Sequence, residues 1–439
     1  MKITVVGTGY VGLVSAVGFA EIGHAVICLG RDEAKMAQLR AGVPTLYEPG
    51  LEVALRRNIK RGRISFTTDR LAAYSAAPVI MIAVGTPSRP DGSADLTAVF
   101  SVARDIGRIM TKPKTVVVKS TVPVGTCEQV QAAVVRARPR SQRKLTVAIV
   151  SNPEFLQEGV ALRHFMQPDR VVVGVADQSA AKVMAQLYRP ITGPKRPLVV
   201  TDLRSSELIK YVSNAFLATK ISFMNEIANF SDRVGADVDA IRRGVGLDPR
   251  IGPAFLRAGI GYGGACLPKD LSALMASGQK HGYGFRMLSS VRDVNDFQRQ
   301  IVVRKLRRFL PQLRGKMVAV WGLSFKPKTD DVRDAPSLTL IRGLLKLGAR
   351  VKAYDPIAAK EAKRVIGTPA GLEYSASASA AARSADALIL VTEWEEFKTF
   401  SPRQLKRLMR RPIVVDGRNV FDPATLRRLG FKYAGIGRP

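Results

Sequence analysis

The chain opens KITVVGTGYVG at positions 2–12. An apolar, β-forming run ends in Gly7-Thr8-Gly9-Tyr10-Val11-Gly12, and an apolar helical stretch follows to about Gly23. A second apolar run, AVICL, begins at Ala25. No other feature constrains the fold as strongly. Strand, glycine turn, helix and strand in about 30 residues form a βαβ unit, whose strands run parallel beneath the crossing helix. Gly7 permits the tight turn, Gly9 lets a pyrophosphate approach the backbone, and Gly12 lets helix and strand pack closely. The helix start at Tyr10 and Val11 supplies N–H donors and the positive end of a dipole. The reading is a dinucleotide site.

The rhythm continues through PVIMIAVG (78–85), TVVVKS (115–120), TVAIVSN (146–152) and RVVVG (170–174). Strands alternating with helical segments imply a doubly wound parallel sheet. From Ser205 to Gly235 the pattern changes to one long segment without proline or internal glycine, apolar on more than one face. It predicts a long, largely buried helix that bridges domains or forms a dimer interface. Strands restart at KMVAVWGLSF, then RVKAYDP, DALILVT and PIVVDGRN. The expected fold is α/β, with two Rossmann-like doubly wound parallel-sheet domains joined by a long central helix and a helical middle region. The boundaries fall at 1–200, 201–305 and 306–439.

Composition narrows the partners. A net charge of +32 over 439 residues, from 68 Lys and Arg against 36 Asp and Glu, favours anionic ligands. No zinc-finger spacing, RNA-binding aromatic signature or helix-turn-helix signal points to specific nucleic-acid recognition. No apolar run reaches the roughly 18 residues of a membrane span. A strand at the N-terminus in place of a signal peptide leads to the expectation of a cytoplasmic protein. The three cysteines, Cys28, Cys127 and Cys266, give neither a disulfide framework nor a metal spacing, so no metal is expected.

One part of the dinucleotide pattern is missing. An NAD site ordinarily ends its second strand in an acid that bonds the ribose 2′-hydroxyl. In VICLGRDE that place holds Gly30, followed by Arg31, with Asp32 and Lys35 beyond. Arg31 suits a 2′-phosphate, and Asp32 is a substitute acid, so NAD and NADP both stay open. Thr86 sits in a further turn, VGTPSRPDGSADL. STVPVGT carries Thr121, and SNPEFLQEG carries Glu154, Phe155, Leu156 and Glu158. All follow strands, at the sheet edge where ligands bind.

Cys266 lies in GYGGACLPKD, with Lys269 and Asp270 just beyond. Glycines give a backbone open to close approach, and a nearby cation favours the nucleophilic thiolate. A small buried hydrophobe explains the same residue equally well.

Together the motifs GTGYVG, VGTP…DGSADL, STVPVGT, SNPEFLQEG, ELIKYVSNAFLATKISFMNEIA, GLDPRIG, GYGGACLPKD, FKPKTDDVRDAP and DGRNVFD span the chain in order. The chain resembles the nucleotide-sugar 6-dehydrogenases, nearest to the UDP-glucose branch. The resemblance implies an NAD-dependent oxidoreductase that makes UDP-glucuronate for polysaccharide biosynthesis by two oxidations of the sugar C6. It implies a UDP-sugar substrate held by the C-terminal domain and a homodimer built on the long helix. GDP-mannose or a UDP-N-acetylhexosamine is the alternative substrate.

The same resemblance makes Cys266 the nucleophile that captures the aldehyde. Lys210 and Asn214 stabilise oxyanions, and Asp270 works in proton transfer with Lys210. Thr121 and Glu154 position water, with Glu154 the base for thioester hydrolysis and Glu158 nearby. Lys326 and Arg418 become UDP-sugar ligands, and Phe255, Leu256 and Gly263 line the sugar pocket with Phe155 and Leu156. Arg250 reaches across the dimer to the sugar, while Arg333 and Lys269 lie on the cofactor side. Two departures stand beside the cysteine: Ala265 and Leu267 replace the family's Ser and Phe. Other classes, a hydroxyacid dehydrogenase or a polyanion binder of the same fold, need no cysteine.

Overall fold

The computed structural model describes residues 1–438. Two compact units divide the chain. The first comprises Met1–Ser213 and Ser272–Gly282, and the second Asn214–Leu271 and Tyr283 onward.

The first unit is built on an eight-stranded sheet. Its strands are β1 (Lys2–Val6), β2 (Ala25–Leu29), β3 (Ile64–Thr67), β4 (Val79–Ile82), β5 (Lys114–Val118), β6 (Val147–Ser151), β7 (Val171–Val175) and β8 (Leu198–Thr201). They lie in the order β3-β2-β1-β4-β5-β6-β7-β8. The first six follow the doubly wound order of a dinucleotide-binding sheet. One pairing departs from the all-parallel expectation, because β7 runs antiparallel to β6. The connection between them holds only the short helix Ala161–Met166. An antiparallel neighbour is reached without a crossover helix. Apolar residues of β1, β4, β5 and β6 are buried on both faces, against two separate apolar clusters.

The second unit carries β9 (Met317–Trp321), β10 (Arg350–Tyr354), β11 (Leu372–Tyr374), β12 (Ala387–Leu390), β13 (Ile413–Asp416) and β14 (Lys432–Ala434). They form one sheet ordered β11-β10-β9-β12-β13-β14, with every pair parallel. Renumbered from its own start, that sheet repeats the order of the first six strands of the other sheet. β3, β8, β11 and β14 carry no clear sequence signal, and each lies at a sheet edge beside only one other strand.

The long segment forms one helix, Leu203–Val234. The expectation that it is largely buried is corrected. Phe216, Phe223 and Phe230 are 63%, 55% and 60% exposed, with Val212 and Val234 also open. The four- and seven-residue spacings place these on one stripe. Its opposite face, with Tyr211, Ala215, Ala218, Met224 and Ala228, is buried. Among the described residues no helix is long and apolar enough to cross a membrane.

Candidate active site

In the first unit the glycine turn sits where β1 meets the helix Tyr10–Glu21. Gly7 has φ +115°, and a Cβ there would meet the Ala83 carbonyl at 2.4 Å. A Cβ on Gly12 would lie 2.1 Å from the Gly7 carbonyl. These two glycines are therefore obligatory for the turn and for helix packing. Gly9 is different: a Cβ there would meet nothing within 4 Å. Gly9 caps the helix with no side-chain hydrogen bond. Gly7, Gly9, Gly30, Arg31, Tyr74, Gly85 and Ser101 line a cleft of about 570 Å3. An open backbone, an uncapped helix start and a cleft of this size fit a dinucleotide.

The side chains of Tyr10 and Val11 pack on protein. Val11 lies against the apolar core. The Tyr10 hydroxyl donates to Glu48, and burial together with that carboxylate pushes its pKa up. Glu48 also accepts from the N–H groups of Gly159 (2.7 Å) and Ala161 (2.6 Å). Glu48, with no motif to mark it, thus ties the glycine turn to the loop bearing Glu158. Asp32 caps the helix Glu33–Arg40 by accepting from the Lys35 N–H at 3.1 Å. The Thr86 hydroxyl donates to the Thr121 carbonyl at 2.9 Å and joins the ends of β4 and β5.

Past β6, Glu154 and Lys210 form an ion pair at 3.0 Å with side chains 5% and 4% exposed. Burial would raise the Glu154 carboxyl, but the Lys210 charge, its hydrogen bond and the Leu156 N–H win and hold it below the usual range. Leu156 donates that bond at 2.5 Å. Phe155 lies under the Arg170 guanidinium, 3.8 Å from the ring centroid, and under Lys210 at 5.4 Å. Lys119 is a further member that sequence reading passed over. Its ammonium is fully buried, donates to Asn152 Oδ1 (3.2 Å) and Tyr188 Oη (3.3 Å), and is pushed down to about 8 by burial. The signal was present as a lysine inside the apolar run TVVVKS.

In the second unit Cys266 is exposed at the start of the helix Leu267–Lys280. The other two cysteines are buried, and burial pushes the Cys28 thiol up to about 12. Asp270, in the first turn of that helix, is almost wholly buried and accepts from Asn214 Nδ2 at 2.6 Å. Lys269 pairs with the other Asp270 oxygen at 2.6 Å. Thiol, carboxylate, amide and ammonium therefore share one helix terminus.

The glycine loop before the cysteine is held through its backbone by side-chain amides. Asn225 accepts from the Gly259 N–H, Gln298 donates to the Gly259 carbonyl, and Asn295 bonds both Tyr262 backbone groups. Sequence reading did not single out these three amides: Asn225 lies within ELIKYVSNAFLATKISFMNEIA, and Asn295 and Gln298 sit on a helix without a motif. Gly264, φ +87°, donates to the Arg333 carbonyl at 2.9 Å. A Cβ on Gly263 would strike the Asp334 carbonyl at 2.2 Å. Close backbone approach explains these glycines directly.

Arg418 reaches under the same loop, donating to the carbonyls of Val391 (2.7 Å), Gly261 (3.2 Å) and Phe325 (3.4 Å). Lys326 lies over the Phe325 ring at 5.5 Å. Leu256 is buried and Phe255, at φ 62°, is exposed. The exposed Arg333 and Arg250 guanidinia pair with Asp331 and Asp248. The second sheet has the acid that the first lacks: Asp355 follows β10. It is consumed by the chain itself, accepting from the Leu323 and Ser324 N–H groups and Trp394 Nε1. Among the described residues no cluster of His, Cys, Asp and Glu forms a metal site.

The expected residues thus fall into two groups, one in each unit, and Lys210 and Asn214 stand one turn apart on the helix Leu203–Val234. Domain models of the UDP-glucose/GDP-mannose dehydrogenase family match almost end to end. The NAD binding domain covers 1–192, the central domain 204–297 and the UDP binding domain 319–423. The chain belongs to this family. UDP-glucose/GDP-mannose dehydrogenases are oxidoreductases, and the NAD binding domain contains the glycine turn described above. The chain is 46% identical to the UDP-glucose 6-dehydrogenase of Rhizobium meliloti (strain 1021), covering 100% of both chains. It is 45% identical to that of Pseudomonas aeruginosa, covering 100% of this chain and 98% of the relative. A solved UDP-glucose dehydrogenase from Pyrobaculum islandicum is 40% identical, with TM-score 0.92 over 100% of this chain and 98% of its own.

Proposed function

We propose that the protein is a UDP-glucose 6-dehydrogenase that oxidises the C6 alcohol twice and yields UDP-glucuronate. The observation that carries this reading is the Cys266 helix terminus: an exposed thiol beside Asp270, itself held by Asn214 and Lys269. Full-length identity to UDP-glucose 6-dehydrogenases supports the substrate. A reductase that stops after one oxidation has no use for such a thiol.

The Gly7–Gly12 turn would hold a nicotinamide dinucleotide, which would supply the two-electron acceptor that each oxidation needs. Asp270 accepts the alcohol proton, and Lys210 and Asn214 stabilise the oxygen as it becomes anionic. Cys266 Sγ adds to the aldehyde, and the thiohemiacetal keeps the carbon bound for the second oxidation. Water then attacks the thioester with Glu154 as base and Thr121 orienting it, releasing carboxylate and thiol. Glu154 is suited to this because Lys210 keeps it ionised. Glu158 serves on the cofactor side together with Arg333 and Lys269. Lys326 and Arg418 hold the UDP-sugar, and Phe255, Leu256 and Gly263 of the same unit contact its glucose.

The exposed stripe of Phe216, Phe223 and Phe230 is covered by a second copy of the chain, which makes the enzyme a homodimer and gives Arg250 a sugar in the partner to reach. We place it in the cytoplasm. Offering UDP-glucose, GDP-mannose and UDP-N-acetylglucosamine to the purified protein tests the substrate. Turnover confined to UDP-glucose is expected, and a preference for another sugar nucleotide would move the assignment.

A further inference from the structure

The cleft of the first unit holds a cation that an NAD site does not need. A carboxylate at the end of the second strand would bond the ribose 2′-hydroxyl and repel a 2′-phosphate. At the end of β2 that place is Gly30, which lines the cleft. Its neighbours have closed over the missing side chain. A Cβ on Gly30 would meet Met36 Cε at 2.6 Å and Thr8 Cγ2 at 3.2 Å, and Met36 is fully buried.

The nearby acids are all engaged elsewhere. Asp32 caps a helix. Glu33 accepts from Arg40 at 2.7 Å and Thr68 at 2.9 Å. Of the carboxylates lining the cleft, Asp95 accepts from both Thr97 donors, and Asp105 pairs with Arg70 at 3.0 Å. Arg31 remains, exposed and lining the cleft, with no carboxylate in ion-pair distance among the described residues.

We propose that this cleft binds the 2′-phosphorylated dinucleotide, NADP, in preference to NAD, and that Arg31 is the residue that selects it. A guanidinium pairs with a phosphate through parallel N–H donors. Gly30 removes the opposing charge, and Met36 and Thr8 fill the space its side chain would take. The inference rests on the dinucleotide reading of the cleft given above and names which dinucleotide.

Calorimetric titration of the full-length protein with NADPH, NADH, 2′,5′-ADP and 5′-AMP tests it without turnover. NADPH binds at least about tenfold more tightly than NADH, the effect of one charged hydrogen bond. 2′,5′-ADP binds more tightly than 5′-AMP by a similar factor. Arg31→Leu lowers the NADPH-to-NADH affinity ratio about tenfold, and Gly30→Asp, with the flexible Met36 end displaced, reverses the preference. NADH binding as tightly as NADPH, or a ratio unmoved by Arg31→Leu, would overturn the inference and leave the dinucleotide cleft standing. Binding of neither dinucleotide would overturn both.

Discussion

Lys210 and Glu154 form an ion pair at 3.0 Å in which both side chains are almost wholly buried. Two charges so removed from water stay charged only while each has the other. The pair links the loop after β6 to the helix Leu203–Val234, and it keeps the proposed hydrolytic base ionised.

Lys210→Met removes the cation and strands the carboxylate. The folded protein should lose about 3–5 kcal/mol in urea unfolding at neutral pH. The acid response changes sign too. In the native protein Glu154 is held low, so its stabilisation is present above the ordinary carboxyl range and lost as pH falls through the lower folded value. In Lys210→Met, burial, the largest influence on the group, is opposed only by the Leu156 N–H and the Lys119 charge, so lowering the pH towards that range should restore part of the lost stability.

Cys266 is exposed, so Cys266→Ser should leave the unfolding midpoint nearly unchanged. Production of UDP-glucuronate should fall by at least about 10³-fold. Normal two-step turnover by this variant would remove covalent catalysis.

Lys119 is held down at about 8 against an ordinary 10.5, with burial as the leading cause. Between those values the unfolded chain binds a proton that the folded chain has released. The native protein therefore gains stability through this group as pH rises across that window. Below it, the charged amine costs up to about 3 kcal/mol. Urea unfolding at several pH values should show the stability difference between Lys119→Met and the native protein shifting against the variant as pH rises. A difference independent of pH would show that the amine is not the titrating group.

Arg418 is bound to three carbonyl groups around the cysteine loop. Arg418→Leu leaves them without their donor, at a cost of about 1–3 kcal/mol for each that stays buried. The expected result is a lower thermal midpoint together with weaker UDP binding by calorimetry.

Phe223→Asp places a charge in the middle of the apolar stripe. Light scattering should report a dimer for the native protein and a monomer for the variant, with the circular dichroism spectrum retained. A native monomer would remove the dimer.

Much of this was legible because it depends on local pattern. The GTGYVG turn follows a strand and opens a helix, and the apolar runs located ten of the fourteen strands, the exceptions being β3, β8, β11 and β14. Cys266 stood out through its glycines. What escaped was long-range. Glu48, Asn225, Asn295 and Gln298 act only after folding brings distant backbone to them. Periodicity also did not reveal that β7 reverses direction, because a buried strand reads alike either way. The open stripe on the long helix was hidden for a related reason: composition marks apolar residues without saying whether the same chain covers them.

The central claim is a four-electron oxidation through Cys266, and the most direct measurement is the number of reduced cofactors formed per UDP-glucose consumed to completion. The account predicts two, with UDP-glucuronate as the product and no free aldehyde. One reduced cofactor with released aldehyde, or no reduction at all, would contradict it.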